Sequence, residues 1–241
     1  MTIRSLCLFA CCYHGTGLPA NELALAAELL DASFDRVVLL ACDPIDPSCA
    51  KDPPAALANH PRFAFVPMEN HGRDFGLYAR FLRTIADGLA LDRLCLVNDS
   101  ILWLPTPEFP SLAKLLGIGA GAGASTDAWG CTDSHEHGYH LQSYLLQFYG
   151  RPCIDTVVGF LLALTEETFQ KDKHPFVVDC EIGLSKALLA AGFRLYAAFP
   201  DERVRKAAGI DAPNTTYFLP NTLRLLGCPL RKKACQPMDI G

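Results

Sequence analysis

The residue types best suited to chemistry follow a short apolar run near the middle of the chain. Arg93–Val97 predicts a buried strand, and the polar triplet Asn98-Asp99-Ser100 comes directly after it. Open α/β sheets bind their ligands at the carboxyl ends of their strands, so Asp99 is well placed to contact a ligand. All three residue types are also common in turns, and a simple turn is the alternative interpretation.

A second polar group lies at the start of a predicted helix. Glu69–Asp74 follows the strand candidate Phe63–Pro67 and precedes a helix whose apolar residues recur every three or four positions. Backbone N–H groups at a helix N-terminus favour an anion, and the guanidinium of Arg73 is a forked donor suited to a diphosphate. In the alternative interpretation, Asp74 is the helix N-cap and Arg73 is solvated.

Three histidines, His135, His137 and His140, lie within six residues. Their spacing fits neither a helical pair nor a known zinc signature, so a mobile, solvated loop is favoured over a metal cluster. His140 is the exception, because it introduces the mixed polar and apolar segment Leu141–Phe148.

The elements that must position these residues form an α/β pattern. Ser5–Cys12, a helix from Asn21 to about Phe34, and Arg36–Cys42 make a strand–helix–strand unit, which is typical of a parallel sheet. Further elements predicted along the chain are a buried strand at Val157–Leu164, a helix at Cys180–Ala191 and a strand at Phe193–Phe199.

The loop after the first strand, Tyr13–Gly17, has two glycines but does not match the dinucleotide-binding pattern GxGxxG. It is therefore weak evidence for nucleotide binding. A nucleotidyltransferase is disfavoured for a related reason: the loop lacks the glycine-rich, Arg- or Lys-bearing form of a phosphate loop.

Composition excludes several classes of protein. A chain of 241 residues that is 50% hydrophobic can bury a large core, and a net charge of −5 gives no basic footprint for nucleic acid or an anionic membrane. No apolar run is long enough to span a membrane, and no signal peptide is recognisable. The 11 cysteines lie largely inside apolar runs without a Cys-x-x-Cys pair, which predicts buried free thiols in a reducing cytoplasm and no thiolate zinc site.

The chain resembles the rhamnan synthesis protein F family of polysaccharide glycosyltransferases over about residues 60 to 233. The blocks that carry the resemblance are Asn70–Gly76, Leu96–Ser100, Trp129–Ser134, His140–Tyr144, Glu181–Ser185, Asn221–Leu223 and Pro229–Lys232. The resemblance implies a GT-A-like, Rossmann-type fold: a mixed, mostly parallel sheet flanked by helices, in a single domain. Residues 1–104 would form the nucleotide-sugar-binding half and residues 105–241 the acceptor-side half.

The resemblance also implies roles for particular residues. Asp99 would stand where related transferases carry an Asp-x-Asp motif, and Glu181 would align with the catalytic carboxylate of the acceptor-side helix. Glu181 is the expected general base, with Asp133 as the competing candidate and His140 as a third catalytic residue. The expected donor-binding residues are Asn70, Gly72, Arg73, Asp74, Asn98, Asp99 and Ser100.

Only weak binding of a metal cofactor is expected. The triplet at Asp99 supplies a single carboxylate, so tight binding of a divalent ion is in doubt. Mg²⁺ or Mn²⁺ remains a candidate, because one carboxylate and the substrate phosphates can hold Mg²⁺.

The resulting expectation is a cytoplasmic inverting glycosyltransferase, with peripheral association at the inner face of the membrane left open. It would transfer a sugar, with L-rhamnose from a dTDP donor as one candidate, from a nucleoside-diphosphate sugar to a glycan or lipid-linked glycan. The alternative is a non-catalytic nucleotide- or sugar-binding subunit of a glycan assembly complex.

Overall fold

The computed structural model describes residues 3–13, 18–43, 52–86, 88–121 and 126–239. The strands are β1 (Ser5–Cys12), β2 (Arg36–Cys42), β3 (Phe63–Pro67), β4 (Arg93–Asn98), β5 (Ile101–Trp103), β6 (Ala128–Ser134), β7 (His140–Leu141), β8 (Leu145–Tyr149), β9 (Leu195–Phe199) and β10 (Leu230–Lys232). The longer helices are α1 (Ala20–Asp31), α2 (Arg73–Ile85), α3 (Leu112–Gly121) and α4 (Arg151–Ala163). The shorter ones are α5 (Glu166–Phe169), α6 (Lys173–Val177), α7 (Gly183–Ala190), α8 (Asp201–Ala208), α9 (Thr215–Phe218) and α10 (Pro220–Leu225), with a π-helical segment, Val178–Ile182, between α6 and α7.

The main sheet is mixed and mostly parallel, with strand order β3-β2-β1-β4-β8-β6-β7 and β9 paired with β6. The pairs among β1 to β4 are parallel, as is β6 with β9, whereas β8 runs antiparallel to both of its neighbours. Strands β1, β2 and β4 are apolar along nearly their whole length because helices cover both faces of the sheet. The carboxyl ends of these parallel strands therefore share one edge.

Alternating residues of β1 pack into two cores on opposite faces of the sheet. Leu6 and Leu8 belong to one core, and Cys7 and Phe9 belong to the other. Helices α1 and α3 cover the second face, while α2, α4 and α7 cover the first. In the part of the chain that the structure describes, no helix combines the length and the apolar character needed to cross a membrane.

The predicted strands Ser5–Cys12, Arg36–Cys42 and Phe63–Pro67 are confirmed, and the predicted helix after them is α2. The strand predicted at Val157–Leu164 is wrong, because these residues lie mainly in helix α4. The buried residues of α4 recur at helical spacing, at Cys153, Ile154, Val157 and Leu161. An uninterrupted apolar run fits a buried strand and a buried helix equally well, which is why the sequence misled here.

Two short strands place the end of the described chain beside the site. Strand β10 pairs antiparallel with β5, which follows β4 after the two-residue turn Asp99-Ser100. Lys232 is the partner of Ile101 in this pairing. The glycines of the Tyr13–Gly17 loop lie outside the described residues.

Candidate functional site

A cavity of about 560 Å³ opens at the carboxyl ends of β1, β2 and β4. Its position agrees with the general location of ligands in open α/β sheets. Eight of the predicted site residues line it: Asn70, Arg73, Asp74, Asn98, Asp99, Ser100, His140 and Glu181. Gly72 and Asp133 are the two predicted residues that do not.

The Asn98-Asp99-Ser100 triplet is both a turn and part of the cavity wall. The Asn98 side chain donates to Asp74 Oδ2 at 2.6 Å and accepts from the Ser100 backbone N–H at 3.1 Å. Asp99 Oδ2 accepts a 2.7 Å hydrogen bond from the Cys12 backbone N–H at the end of β1. These bonds fix the turn, while the cavity stays in contact with all three residues.

The donor set around Asp99 does not fit a protein-built magnesium or manganese site. The residues of β1 and β2 that line the cavity with Asp99 include the thiols of Cys11, Cys12 and Cys42, whereas Mg²⁺ and Mn²⁺ prefer oxygen ligands. Within the described residues, no three His, Cys, Asp or Glu side chains are grouped so that they could hold a metal ion. Burial also raises the pKa of Asp99, which disfavours its charged form.

The start of α2 is fixed by unusual backbone geometry. Gly72 has φ 74° and Arg73 has φ 53°, so two successive residues adopt the left-handed conformation. A Cβ on Gly72 would lie 2.6 Å from the Phe169 ring, which requires glycine here. This geometry places the Arg73 guanidinium 5.4 Å from the centre of the Phe176 ring, at the wall of the cavity.

Asp74 is not the N-cap of α2, so that part of the alternative interpretation is wrong, whereas Arg73 is exposed, as the same interpretation expected. Gly72 occupies the cap position, and no side chain caps the helix. The Asp74 carboxylate instead accepts from the Phe75 backbone N–H at 3.0 Å and from Asn98. Burial raises the pKa of Asp74, and the bond from Asn98 opposes that rise.

Glu181 and His140 form a close pair on the other side of the cavity. His140 Nε2 lies 3.3 Å from Glu181 Oε1, and His140 Nδ1 lies 2.8 Å from the Gly138 carbonyl oxygen. The Ser143 backbone N–H donates to Glu181 Oε2 at 3.0 Å, and the Ser143 hydroxyl donates to the same oxygen. Glu181 belongs to the π-helical segment, a rare local geometry that often occurs at functional sites.

The pKa values of this pair move in opposite directions. Burial alone would raise the pKa of Glu181, but the bond from His140, the charge of Lys232 and the bond from Ser143 together hold it below its ordinary value. Burial alone would lower the pKa of His140, but its bond to Glu181 raises it. The carboxylate is therefore held ionised beside an imidazole that protonates readily.

Asp133, the competing candidate for the general base, is buried away from the cavity. Its Oδ1 accepts a 2.6 Å hydrogen bond from the Asp201 backbone N–H, which connects β6 to the start of α8. Burial raises its pKa. The structure therefore places Asp133 where it supports the junction of two elements.

The histidine segment is largely exposed, with His135 and His137 both at the surface. The His137 ring packs edge-on against the His174 ring, with 4.7 Å between ring centres, and both residues line the cavity rim.

Sequence reasoning assigned no role to Lys232, which lines the same cavity. Its Nζ donates to Ser100 Oγ at 3.1 Å and lies 5.0 Å from the centre of the Tyr144 ring. Lys173 and Tyr217 line the cavity too. The only signal in the sequence was the block Pro229–Lys232, which supported the family resemblance without indicating a function.

The structure defines an α/β fold with a mixed, mostly parallel sheet and a cavity at the carboxyl ends of its parallel strands. The chain is 29% identical over 140 residues to the virulence protein VirA of Vibrio anguillarum (strain ATCC 68554 / 775), a match that covers 56% of this chain and 42% of VirA. A VirA of Vibrio anguillarum matches with the same identity and coverage. The chain thus spans less than half the length of the curated relatives it matches.

Comparison with solved structures gives a distant likeness. The crystal structure of HddC from Yersinia pseudotuberculosis superposes with a TM-score of 0.36 and 9% identity, over 71% of this chain and 81% of that one. No protein-family model matches the chain.

Proposed function

We propose that the protein is an inverting glycosyltransferase with a GT-A-like architecture, acting at the cytoplasmic side of the membrane. It transfers a sugar from a nucleoside-diphosphate sugar to a surface polysaccharide acceptor, with L-rhamnose from a dTDP donor as the first candidate. One observation carries the proposal: a single cavity contains both the strand-end triplet at Asp99 and the Glu181–His140 pair. The sequence resemblance supports the same activity.

In this mechanism Glu181 is the general base. As the acceptor oxygen attacks the anomeric carbon, its proton passes to the Glu181 carboxylate. The bond between the anomeric carbon and the diphosphate oxygen breaks, and its electron pair leaves with the diphosphate. His140 and Ser143 fix the orientation of the carboxylate, so that no reorganisation is needed during the reaction.

Asp99, Asn98 and Asn70 face the donor in this proposal. Asn98 and Asp99 are fixed by bonds to Asp74 and to the end of β1, respectively, which gives the donor a rigid surface to bind. The developing negative charge on the diphosphate is stabilised by cations, of which Arg73 is one.

Substitution of Glu181 tests the proposal. Glu181→Gln is nearly isosteric, so donor binding should survive while sugar transfer falls by about 10²- to 10⁴-fold. The measurement is transfer and nucleotide release across a panel of nucleotide sugars, with donor affinity measured by calorimetry.

Asp133→Asn is the matched control, because Asp133 lies outside the cavity lining and should affect stability more than transfer. Transfer at the wild-type rate by Glu181→Gln, together with loss of transfer in Asp133→Asn, would contradict the assignment of the base. A wild-type protein that binds nucleotide sugars but releases nucleotide from none of them would be the non-catalytic subunit instead.

A further inference from the structure

The carboxylates and the cations that line the cavity differ in whether they have partners. Its carboxylates each accept hydrogen bonds from neutral groups or from histidine: Asp74 from Asn98, Asp99 from the Cys12 backbone, Glu136 from Asn214, and Glu181 from Ser143 and His140. The cations Arg73, Lys173 and Lys232 also line the cavity. Among the residues that the structure describes, no carboxylate lies within ion-pair distance of any of these three cations.

Lys232 is the most informative of the three. Its ammonium group is enclosed between Ser100 Oγ at 3.1 Å and the rings of Tyr144 and Tyr217 at 5.0 and 5.6 Å. An enclosed charge normally has a charged partner, because removal from water is costly. Burial lowers the pKa of Lys232, the charges of Glu181 and Asp74 partly offset this effect, and the charge of Lys173 lowers the pKa again. Lys232 and Lys173 line the same cavity, and neither has a carboxylate at ion-pair distance among the described residues, so an anionic ligand would supply the missing contact.

Arg73 supplies the third positive charge from a strained position. Its left-handed backbone follows that of Gly72, and such conformations persist where the surroundings enforce them, often at ligand sites. The side chain lies against Phe176 and makes no ion pair, so its guanidinium donors face the cavity without a carboxylate partner among the described residues.

We infer that Lys232, Arg73 and Lys173 form the subsite for the donor diphosphate and neutralise the leaving group without a divalent cation. The inference rests on the proposed function. A nucleoside diphosphate carries a charge of about −3 near pH 7, since its terminal phosphate has a second pKa near 6, and three cations match it. The poor fit of the residues around Asp99 to a magnesium site points the same way.

Binding of inorganic diphosphate in the presence of EDTA tests this subsite directly, by calorimetry and without any need for turnover. Wild-type protein should bind diphosphate in EDTA, and Lys232→Gln should bind it at least about tenfold more weakly. Arg231→Gln is the matched control, since Arg231 is the exposed neighbour on β10 and contacts Cys235 instead of the cavity. It should change the affinity by less than about twofold.

If Lys232→Gln fails to fold, the double variant Arg73→Gln/Lys173→Gln decides, because both side chains are exposed and their loss should leave the core intact. It too should weaken diphosphate binding about tenfold or more. Diphosphate binding that appears only when Mg²⁺ or Mn²⁺ is added, or that survives in both variants, would overturn the inference.

The same samples separate this inference from the proposed function. Sugar transfer that requires a divalent ion would contradict the metal-free diphosphate subsite and leave the glycosyltransferase proposal unaffected. Diphosphate binding as expected, without turnover of any donor, would reject the enzyme and leave the anion subsite in place.

Discussion

At the scale of single residues, the Glu181–His140 pair makes stability depend on pH in two directions. The lowered pKa of Glu181 stabilises the fold above the ordinary glutamate pKa, near 4.3, and this contribution is lost as pH falls through the folded-state value. The raised pKa of His140 stabilises the fold below the ordinary histidine pKa, near 6.5, and this contribution is lost as pH rises through the folded-state value. The pair therefore contributes most between these two limits.

We predict that His140→Gln reduces the loss of unfolding free energy at the alkaline end of this pH dependence. Wild-type protein should lose unfolding free energy as pH rises from about 6.5 towards 8, and the variant should lose less, because glutamine does not titrate. Urea unfolding at several pH values measures the effect. His135→Gln, which changes an exposed histidine of the same segment, should keep the wild-type slope. Equal slopes for wild type and His140→Gln would show that the pair is not coupled in this way.

Sequence reasoning was most successful for residues that end a strand. Asp99 could be placed at the carboxyl edge of the sheet, where the cavity opens, because an apolar run followed by Asn-Asp-Ser predicts a strand end. Lys232 could not be assigned a role in the same way. Lys232 stands between Arg231 and Lys233 in a loop-rich segment without periodicity, and its approach to Ser100 depends on the pairing of β10 with β5.

At the scale of elements, the approach of α2 to the cavity depends on a tight first turn. The Gly76 backbone N–H donates to the Gly72 carbonyl at 2.6 Å, and a Cβ on Gly76 would lie 2.1 Å from the His71 carbonyl oxygen. Neither residue 72 nor residue 76 can therefore carry a side chain without moving the start of the helix.

We predict opposite effects for two glycine-to-alanine changes in helices. Gly76→Ala should destabilise the protein by about 3 kcal/mol or more, because the new methyl group overlaps backbone atoms. Gly159→Ala should stabilise it by about 0.5–1 kcal/mol, since Gly159 lies in α4 with open space around the added Cβ. Chemical unfolding of both variants measures the difference, and a similar loss in the two would contradict the role of the tight turn.

The elements show why part of the fold was predictable. Strands with strong apolar runs and a clear helix between them, such as β1, α1 and β2, could be located from the sequence. Helix α4 was mistaken for a strand because its apolar residues form a nearly continuous run in the sequence. The π-helical segment at Glu181 had no sequence signal, since one extra residue in a turn leaves the apolar spacing nearly unchanged.

At the scale of the whole molecule, the cavity joins groups from distant parts of the chain. Residues of β1, β2, α2, β4, the π-helical segment and β10 all line it. A ligand that contacts so many elements binds the folded chain and not the unfolded one, so its binding free energy adds to stability.

We predict that a nucleoside diphosphate raises the melting temperature of the intact protein. At about 100 times its dissociation constant, it should add about 2.7 kcal/mol, which corresponds to about 5–10 °C for a domain of this size. Thermal unfolding with dTDP and UDP measures the shift, and the corresponding nucleosides, which lack phosphates, are the controls. The shift should persist in Glu181→Gln and shrink in Lys232→Gln. Equal shifts with nucleosides and with their diphosphates would show that the phosphates are not recognised.

The pairing of β10 with β5 also sets an order of events during translation. Strands β1 to β4, with Asp99 at the end of β4, are synthesised before β10. Lys232 emerges more than a hundred residues later, yet it completes the wall beside Ser100. A nascent chain that ends before Lys232 therefore lacks part of the full set of cations. If those cations bind the donor, the nascent protein acquires its affinity only after most of its core has been made.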